Sequence, residues 1–346
     1  MIVMAAKMQE SECGDATNFV ITFAGELLEQ AESLVKMGLH TSYIISGYES
    51  ALRKTVEFLE KMSVHEIKDI RSTKDVALCL KSVLTSKLLG YSDFFSNILA
   101  DACVKSCPKN PSSFDIEHVR VAKIMGGNVF DSFVLHGLIV TRNAETSINY
   151  FSKPKIAVYG QPIDTQASET KGTVLIKNAN ELLNYTKSEE EHAEKVIKSI
   201  ADAGVNVIVS GGSISEICLH YIEKYKMMCV RIMSKFELRR LCKCLGAIGI
   251  VRMGPPTPEE MGYCDEVVVQ EIGSQKITVF KKDSEECKLS TIVLRGSTNN
   301  ILDDIERALE DGVNTFRMLI KDGHFVAGAG ATEIVTLFLN QFYLYY

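Results

Sequence analysis

Apolar residues recur at helical spacing between positions 17 and 37, where Phe19, Val20, Phe23, Leu27, Leu28, Leu34 and Val35 form one stripe and Gly38 follows as a stop. The same spacing returns at 42–62 through Ile44, Ile45, Tyr48, Leu52, Val56 and Leu59. Residues 74–107 read as two further helices separated near Gly90, so the first third of the chain reads as all-helical.

The pattern changes after Met125-Gly126-Gly127. Short β-branched runs at 134–140 and 155–159 predict strands. Beyond them the chain alternates: strand 206–210, the glycines Gly211 and Gly212, a helix to about Tyr225, strand 228–232, helix 234–245 and strand 247–251. A βαβαβ run of this kind predicts a parallel sheet with helices packed on it. Residues 266–270 and 276–280 predict a hairpin, 291–294 a further strand, and 300–320 a long helix. An α/β region bracketed by helices predicts an α/β domain inserted into a helical one. The polar segment 161–191 is long for a connection and reads either as an exposed protrusion or as a linker.

Composition adds limits. The 346 residues are 46% hydrophobic and 24% charged, enough for two or three domains with their own cores. A net charge of −6 and the lack of a basic run with interleaved aromatics argue against a nucleic-acid partner. The start has no charged segment followed by a sustained apolar one, and no stretch reaches the roughly 18 apolar residues of a membrane span, so a soluble, unsecreted protein without a membrane partner is expected. The ten cysteines lie scattered in apolar runs. Neither Cys242-x-Cys244 nor Cys103 with Cys107 has the second ligand pair of a structural zinc site, and all are expected to be core thiols.

Three segments carry candidate chemistry. Gly14-Asp15-Ala16-Thr17-Asn18 opens the first predicted helix, where unpaired N–H groups and the positive end of the dipole meet. Asp15 there suits a Mg²⁺ ion, and Thr17, Asn18 and the backbone suit phosphate oxygens; the same residues also serve as an ordinary Asp or Thr N-cap. Gly328-Ala329-Gly330 is a small-residue turn entering a helix, where backbone can approach a nucleotide closely. Asp311 sits in mid-helix beside Gly312, a residue that weakens a helix by about 1 kcal/mol relative to Ala. Ser210-Gly211-Gly212-Ser213 is a fourth segment, a turn for phosphate or for packing, but neither a Walker loop nor a dinucleotide fingerprint is present.

Taken in order, the motifs resemble the group II chaperonins, the ATP-driven rings of the eukaryotic cytosol. The resemblance rests on Gln-Glu-x-x-x-Gly-Asp-x-Thr-Asn at 9–18, Gly-Thr-Val-Leu-Ile at 172–176, Gly-Tyr-Cys-Asp at 262–265, Thr-Ile-Val-Leu-Arg-Gly-Ser-Thr at 291–298 and Asp-Asp-Ile-Glu-Arg-Ala at 303–308. Thr170-Lys171-Gly172-Thr173 and Asp311-Gly312-Val313-Asn314-Thr315 point to one subunit type within it.

The resemblance implies a multi-domain α/β fold: a partial equatorial ATPase domain (1–66 and 329–346), a small hinge domain (67–137 and 295–328) and an inserted apical domain (138–294) with a parallel βαβ core and a protruding lid segment. It implies ATP and Mg²⁺ as cofactors, with Asp15 the metal ligand and Gly14, Thr17, Asn18, Gly328 and Gly330 around the nucleotide. Asp311 would be the catalytic acid that orients or activates water. It also implies a cytoplasmic double ring with other chaperonin subunits, and unfolded polypeptide clients including cytoskeletal proteins. A catalytically silent ring scaffold, or an α/β nucleotide- or cofactor-binding enzyme centred on Ser210–Ser213, is the alternative. Ala16 stands where the family usually has the second glycine of Gly-Asp-Gly-Thr, and Ala327 and Ala329 replace a Pro and a Gly. The family's first phosphate loop is expected upstream of Met1 and its last equatorial helices after Glu333, which implies a chain cut short at both ends.

Overall fold

The computed structural model describes residues 1–67, 69–164, 179–273, 275–282 and 289–344. It is a mixed α/β protein whose chain divides into two units, each built from separate stretches of sequence.

The first unit comprises Met1–Val104, Pro108–Ile116 and Asp304–Tyr346 and is mainly helical. The predicted helices appear at Thr17–Lys36, Thr41–Lys61, Thr73–Lys87 and Ser92–Ser106, and a helix the apolar pattern did not reveal spans Ile2–Glu12. The long C-terminal helix runs Asn299–Lys321, and Ala331–Leu344 follows. Val76, Leu80, Leu84, Phe95 and Leu99 are fully or almost fully buried, as are Leu309, Val313 and Phe316 on the long helix. Gly312 lies in this core: a Cβ there would meet Leu99 Cδ2 at 2.4 Å, so its place in mid-helix is explained by close helix packing. Two chain crossings are zipped into a short antiparallel ribbon, with His65 opposite Phe325 and Glu66 opposite His324.

The second unit, Lys105–Cys107 and Glu117–Asp303, holds two sheets. One has four strands in the order Met228–Arg231, Val207–Ser210, Lys155–Tyr159, Gly262–Tyr263; the first three are parallel, as the βαβ pattern predicts. Both faces of these strands are covered, which is why they read as unbroken apolar runs. Ile156, Val158, Val207 and Val209 join a core with Leu241 and Leu245 of helix Lys235–Leu245 and with Val267 and Phe280 of the other sheet. Ala157, Tyr159 and Ile208 face the opposite way, toward Ala193 and Ile197 of helix Ala179–Asp202 and Cys218 and Ile222 of helix Glu216–Lys224.

The other sheet has six strands in the order Val119–Met125, Ser290–Gly296, Phe133–Val140, Gln275–Lys281, Glu266–Ile272, Tyr150–Ser152. The predicted hairpin belongs here, Val268 facing Val279 across it.

Three expectations need correction. Val119–Met125 is a strand, so the change of texture comes before Met125; its parallel partner Ser290–Gly296 is remote in sequence, and Arg120 and Lys123 interrupt its apolar run. The expected strand 247–251 reduces to one bridge, Ile250 to Tyr159, with Ile250 N–H donating to Val158 O at 2.8 Å. Left-handed Gly246 precedes it, and the start of the same edge of Lys155–Tyr159 is already taken by Gly262–Tyr263. Finally, the polar segment 161–191, expected as a protrusion or a linker, ends in the helix Ala179–Asp202, since the Glu-rich run 189–191 is a good helix former despite its polarity. The 172–176 run falls outside the described residues.

Candidate functional site

The turn between helices Ile2–Glu12 and Thr17–Lys36 is set by its backbone. Cys13 N–H donates to Gln9 O at 2.9 Å, and Gly14 follows at φ +74, a left-handed conformation natural to glycine at a helix end. Gln9 Nε2 donates to Asp15 O at 3.1 Å, and Asp15 Oδ1 accepts from Ala16 N–H at 2.7 Å.

The ordinary N-cap reading does not hold. The N-cap is Ala16, itself left-handed at φ 65, and no side chain caps the helix. The side chains of Asp15 and Thr17 are therefore not spent on capping, and the first N–H groups of a 20-residue helix lack a capping acceptor. Thr17 is half-buried and Asn18 exposed.

Lys87 brings the distant acids together. This last residue of helix Thr73–Lys87 donates to Asp15 Oδ1 at 3.0 Å and makes a still shorter ion pair with Asp311 Oδ2. The three side chains are about a third exposed: 35% for Asp15, 30% for Lys87 and 27% for Asp311. Burial pulls the Lys87 ammonium pKa down, but its hydrogen bonds to Asp311 and Asp15, together with their charges, outweigh this and leave it raised.

Helix Asn299–Lys321 touches the same turn twice more. Asn314 Nδ2 donates to Gly14 O at 3.3 Å, and Arg317 Nη2 donates to Glu12 O at 3.0 Å. Of the site residues singled out in the sequence, Gly14, Asp15 and Asp311 come together here; Lys87, Asn314 and Arg317, which join them, were not among those singled out. A signal for Lys87 existed: it falls three positions after Leu84 and seven after Leu80, on the buried stripe of its helix, where a lysine requires partners.

The other candidates differ. Gly328 and Gly330 flank Ala329, which is left-handed at φ 59, and Thr332 Oγ1 donates to Ala327 O at 2.6 Å to close the turn. A Cβ at either glycine would meet nothing within 4 Å, so the turn is open, and none of the bonds around Asp15 involves it among the described residues. Ser210–Ser213 is filled instead. Ser210 is fully buried, a Cβ on Gly211 would meet the Gly160 carbonyl at 3.0 Å, and one on Gly212 would meet Pro162 N at 2.8 Å. These glycines serve close backbone packing. Cys103 and Cys244 are buried and Cys107 and Cys242 half-buried, and no group of three or more His, Cys, Asp or Glu side chains fit to hold a metal occurs among the described residues.

Comparison with known proteins gives one consistent answer. The model of the TCP-1/cpn60 chaperonin family matches residues 1–338. T-complex protein 1 subunit theta of Dictyostelium discoideum is 53% identical over 334 residues, covering 96% of this chain and 62% of that protein. The proteins of the same name from Arabidopsis thaliana and Homo sapiens are 46% and 48% identical, each over 96% of this chain and 61% of their own length. The chain thus spans about three fifths of the length of the curated relatives it matches.

Proposed function

This chain belongs to the TCP-1/cpn60 chaperonin family, and from that premise we propose that it serves as a theta-type subunit of a cytosolic, hetero-oligomeric chaperonin double ring that folds non-native polypeptides, cytoskeletal proteins among them, by ATP hydrolysis. The observation that carries the reading is the Asp15–Lys87–Asp311 group, in which Lys87 joins acids 72 and 224 positions away in sequence.

The donor set fits Mg²⁺ and phosphate: two carboxylates share one cationic group beside a helix start with no capping side chain. Asp15 would hold the Mg²⁺. Bound there, the ion supplies positive charge against the charge on the phosphates. Thr17, Asn18 and the N–H groups behind Ala16 grip phosphate oxygens, and Gly14, Gly328 and Gly330 let backbone approach the nucleotide. Asp311 orients the attacking water and accepts its proton, while Lys87 keeps the two acids from repelling each other until phosphate competes for its ammonium.

The three-part layout follows from the same premise: equatorial 1–66 and 329–346, intermediate 67–137 and 295–328, apical 138–294. It is supported by the ribbon pairing His65–Glu66 with His324–Phe325 at the first boundary and by the pairing of Phe133–Val140 with Ser290–Gly296 at the second. For client binding we point to the stretch 233–252, where Met233, Phe236, Ile248 and Val251 are all more than half exposed among the exposed cations Arg239, Lys243 and Arg252. Such a surface suits unfolded segments carrying apolar side chains.

A silent scaffold is the second reading, favoured by the strained alanines at 16 and 329. Co-expression with the other chaperonin subunits tests both: co-purification with ATP turnover that falls on Asp311→Ala supports the first, and co-purification with no change in turnover supports the second.

A further inference from the structure

Asp311, Asn314 and Arg317 are spaced three apart on one helix and so lie along one side of it. Each reaches the turn that ends helix Ile2–Glu12. Arg317 binds the Glu12 carbonyl, Asn314 the Gly14 carbonyl, and Asp311 reaches Asp15 through Lys87. The Asn314 contact is a close fit. A Cβ on Gly14 would lie 2.2 Å from Asn314 Cγ, so the amide occupies the space that only a glycine leaves.

Local stability does not account for an asparagine here. Asn is a poor former of helix interiors, and its Oδ1 is buried with no hydrogen-bond partner among the described residues. A residue that breaks two local rules while making one specific contact to a candidate phosphate turn is better explained by that contact.

We propose that Asn314 is a positioning residue for ATP hydrolysis: its amide fixes the Gly14–Asp15 peptide to the helix that carries Asp311. The hydrolytic part rests on the function proposed above. With the peptide tied in this way, Asp15 and the N–H groups after it hold a set distance from the acid.

The test has two arms. In the chain itself, Asn314→Ala should speed hydrogen exchange of the Asp15–Asn18 amides about fivefold or more, with the amides of Glu306–Leu309 unchanged. Asn314→Asp keeps the shape but removes the donor; it should act the same way and guards against a misfolded Ala variant. In an assembled ring, Asn314→Ala should lower the single-turnover rate about tenfold while Mg–ATP affinity moves less than about threefold. Unchanged exchange in both variants, an unaffected rate, or rate and affinity falling by the same factor would overturn the proposal. A ring whose unsubstituted subunit hydrolyses nothing removes the hydrolytic role, and the exchange arm then decides alone whether Asn314 fixes the turn.

Discussion

Asp15 and Asp311 accept hydrogen bonds from the same ammonium group, that of Lys87. Two carboxylates held this near each other repel unless a cation lies between them, so Lys87 is the residue on which their arrangement depends. Lys87→Met should destabilise the chain by about 1 kcal/mol, a figure discounted because all three groups are about a third exposed. A double-mutant cycle of Lys87→Met with Asp311→Asn, read by denaturant unfolding, should show a coupling of roughly 0.5 kcal/mol or more that shrinks as salt is added. Additive effects would mean that the bridge contributes nothing.

Gly14 and Ala16 are both left-handed, yet substitutions at the two positions should have opposite signs. Gly14→Ala adds backbone strain and drives a methyl group into Asn314, at a cost of about 2–4 kcal/mol. Ala16→Gly relieves strain of about 1 kcal/mol, partly offset by the greater freedom of glycine in the unfolded chain, and should be neutral or slightly stabilising. Thermal unfolding of the two variants checks this. A destabilising Ala16→Gly would show that Ala16 is not strained.

The ribbon gives a pH dependence of defined sign. His324 Nδ1 lies 2.7 Å from Asp322 Oδ1, with Glu66 opposite on the other strand and His65 next to it; Glu60 of helix Thr41–Lys61 lines the same cleft. The Asp322 hydrogen bond, with the charges of Asp322 and Glu66, raises the imidazole pKa above its usual 6.5 despite some desolvation. The bond to His324 likewise lowers the Asp322 pKa below 3.8. The histidine contribution is therefore complete below pH 6.5 and lost as pH rises through the raised value, and the aspartate contribution is complete above pH 3.8 and lost as pH falls through the lowered one. An NMR titration should find the His324 pKa above the usual value, and lower in Asp322→Asn. The same pKa in both proteins would contradict the pairing.

The parts of the fold that were legible share a physical cause. Lys155–Tyr159, Val207–Ser210 and Met228–Arg231 are covered on both faces, so their sequences are apolar throughout and need no knowledge of their partners. Val119–Met125 is bounded by its pairing with a strand about 170 residues on, which no local window contains. In the site, Gly14, Asp15 and Asp311 lie in motifs that can be read along the chain, and the N-cap was misread because an alanine in a left-handed conformation leaves no trace in a pattern of side chains. Lys87 continues the buried stripe of its helix, which calls for a partner without naming it. Only the fold sets it between two acids.

Asp15 and Asp311 share a cation but are assigned different roles, and a comparison of their variants in an assembled ring tests the account most directly. Asp311→Ala should leave Mg–ATP affinity nearly unchanged and lower the single-turnover rate about 10²–10⁴-fold, because a water-orienting acid acts in the transition state. Asp15→Ala should weaken Mg–ATP binding itself. Normal hydrolysis by the Asp311→Ala subunit, with its turnover measured separately from its neighbours, would contradict the catalytic assignment.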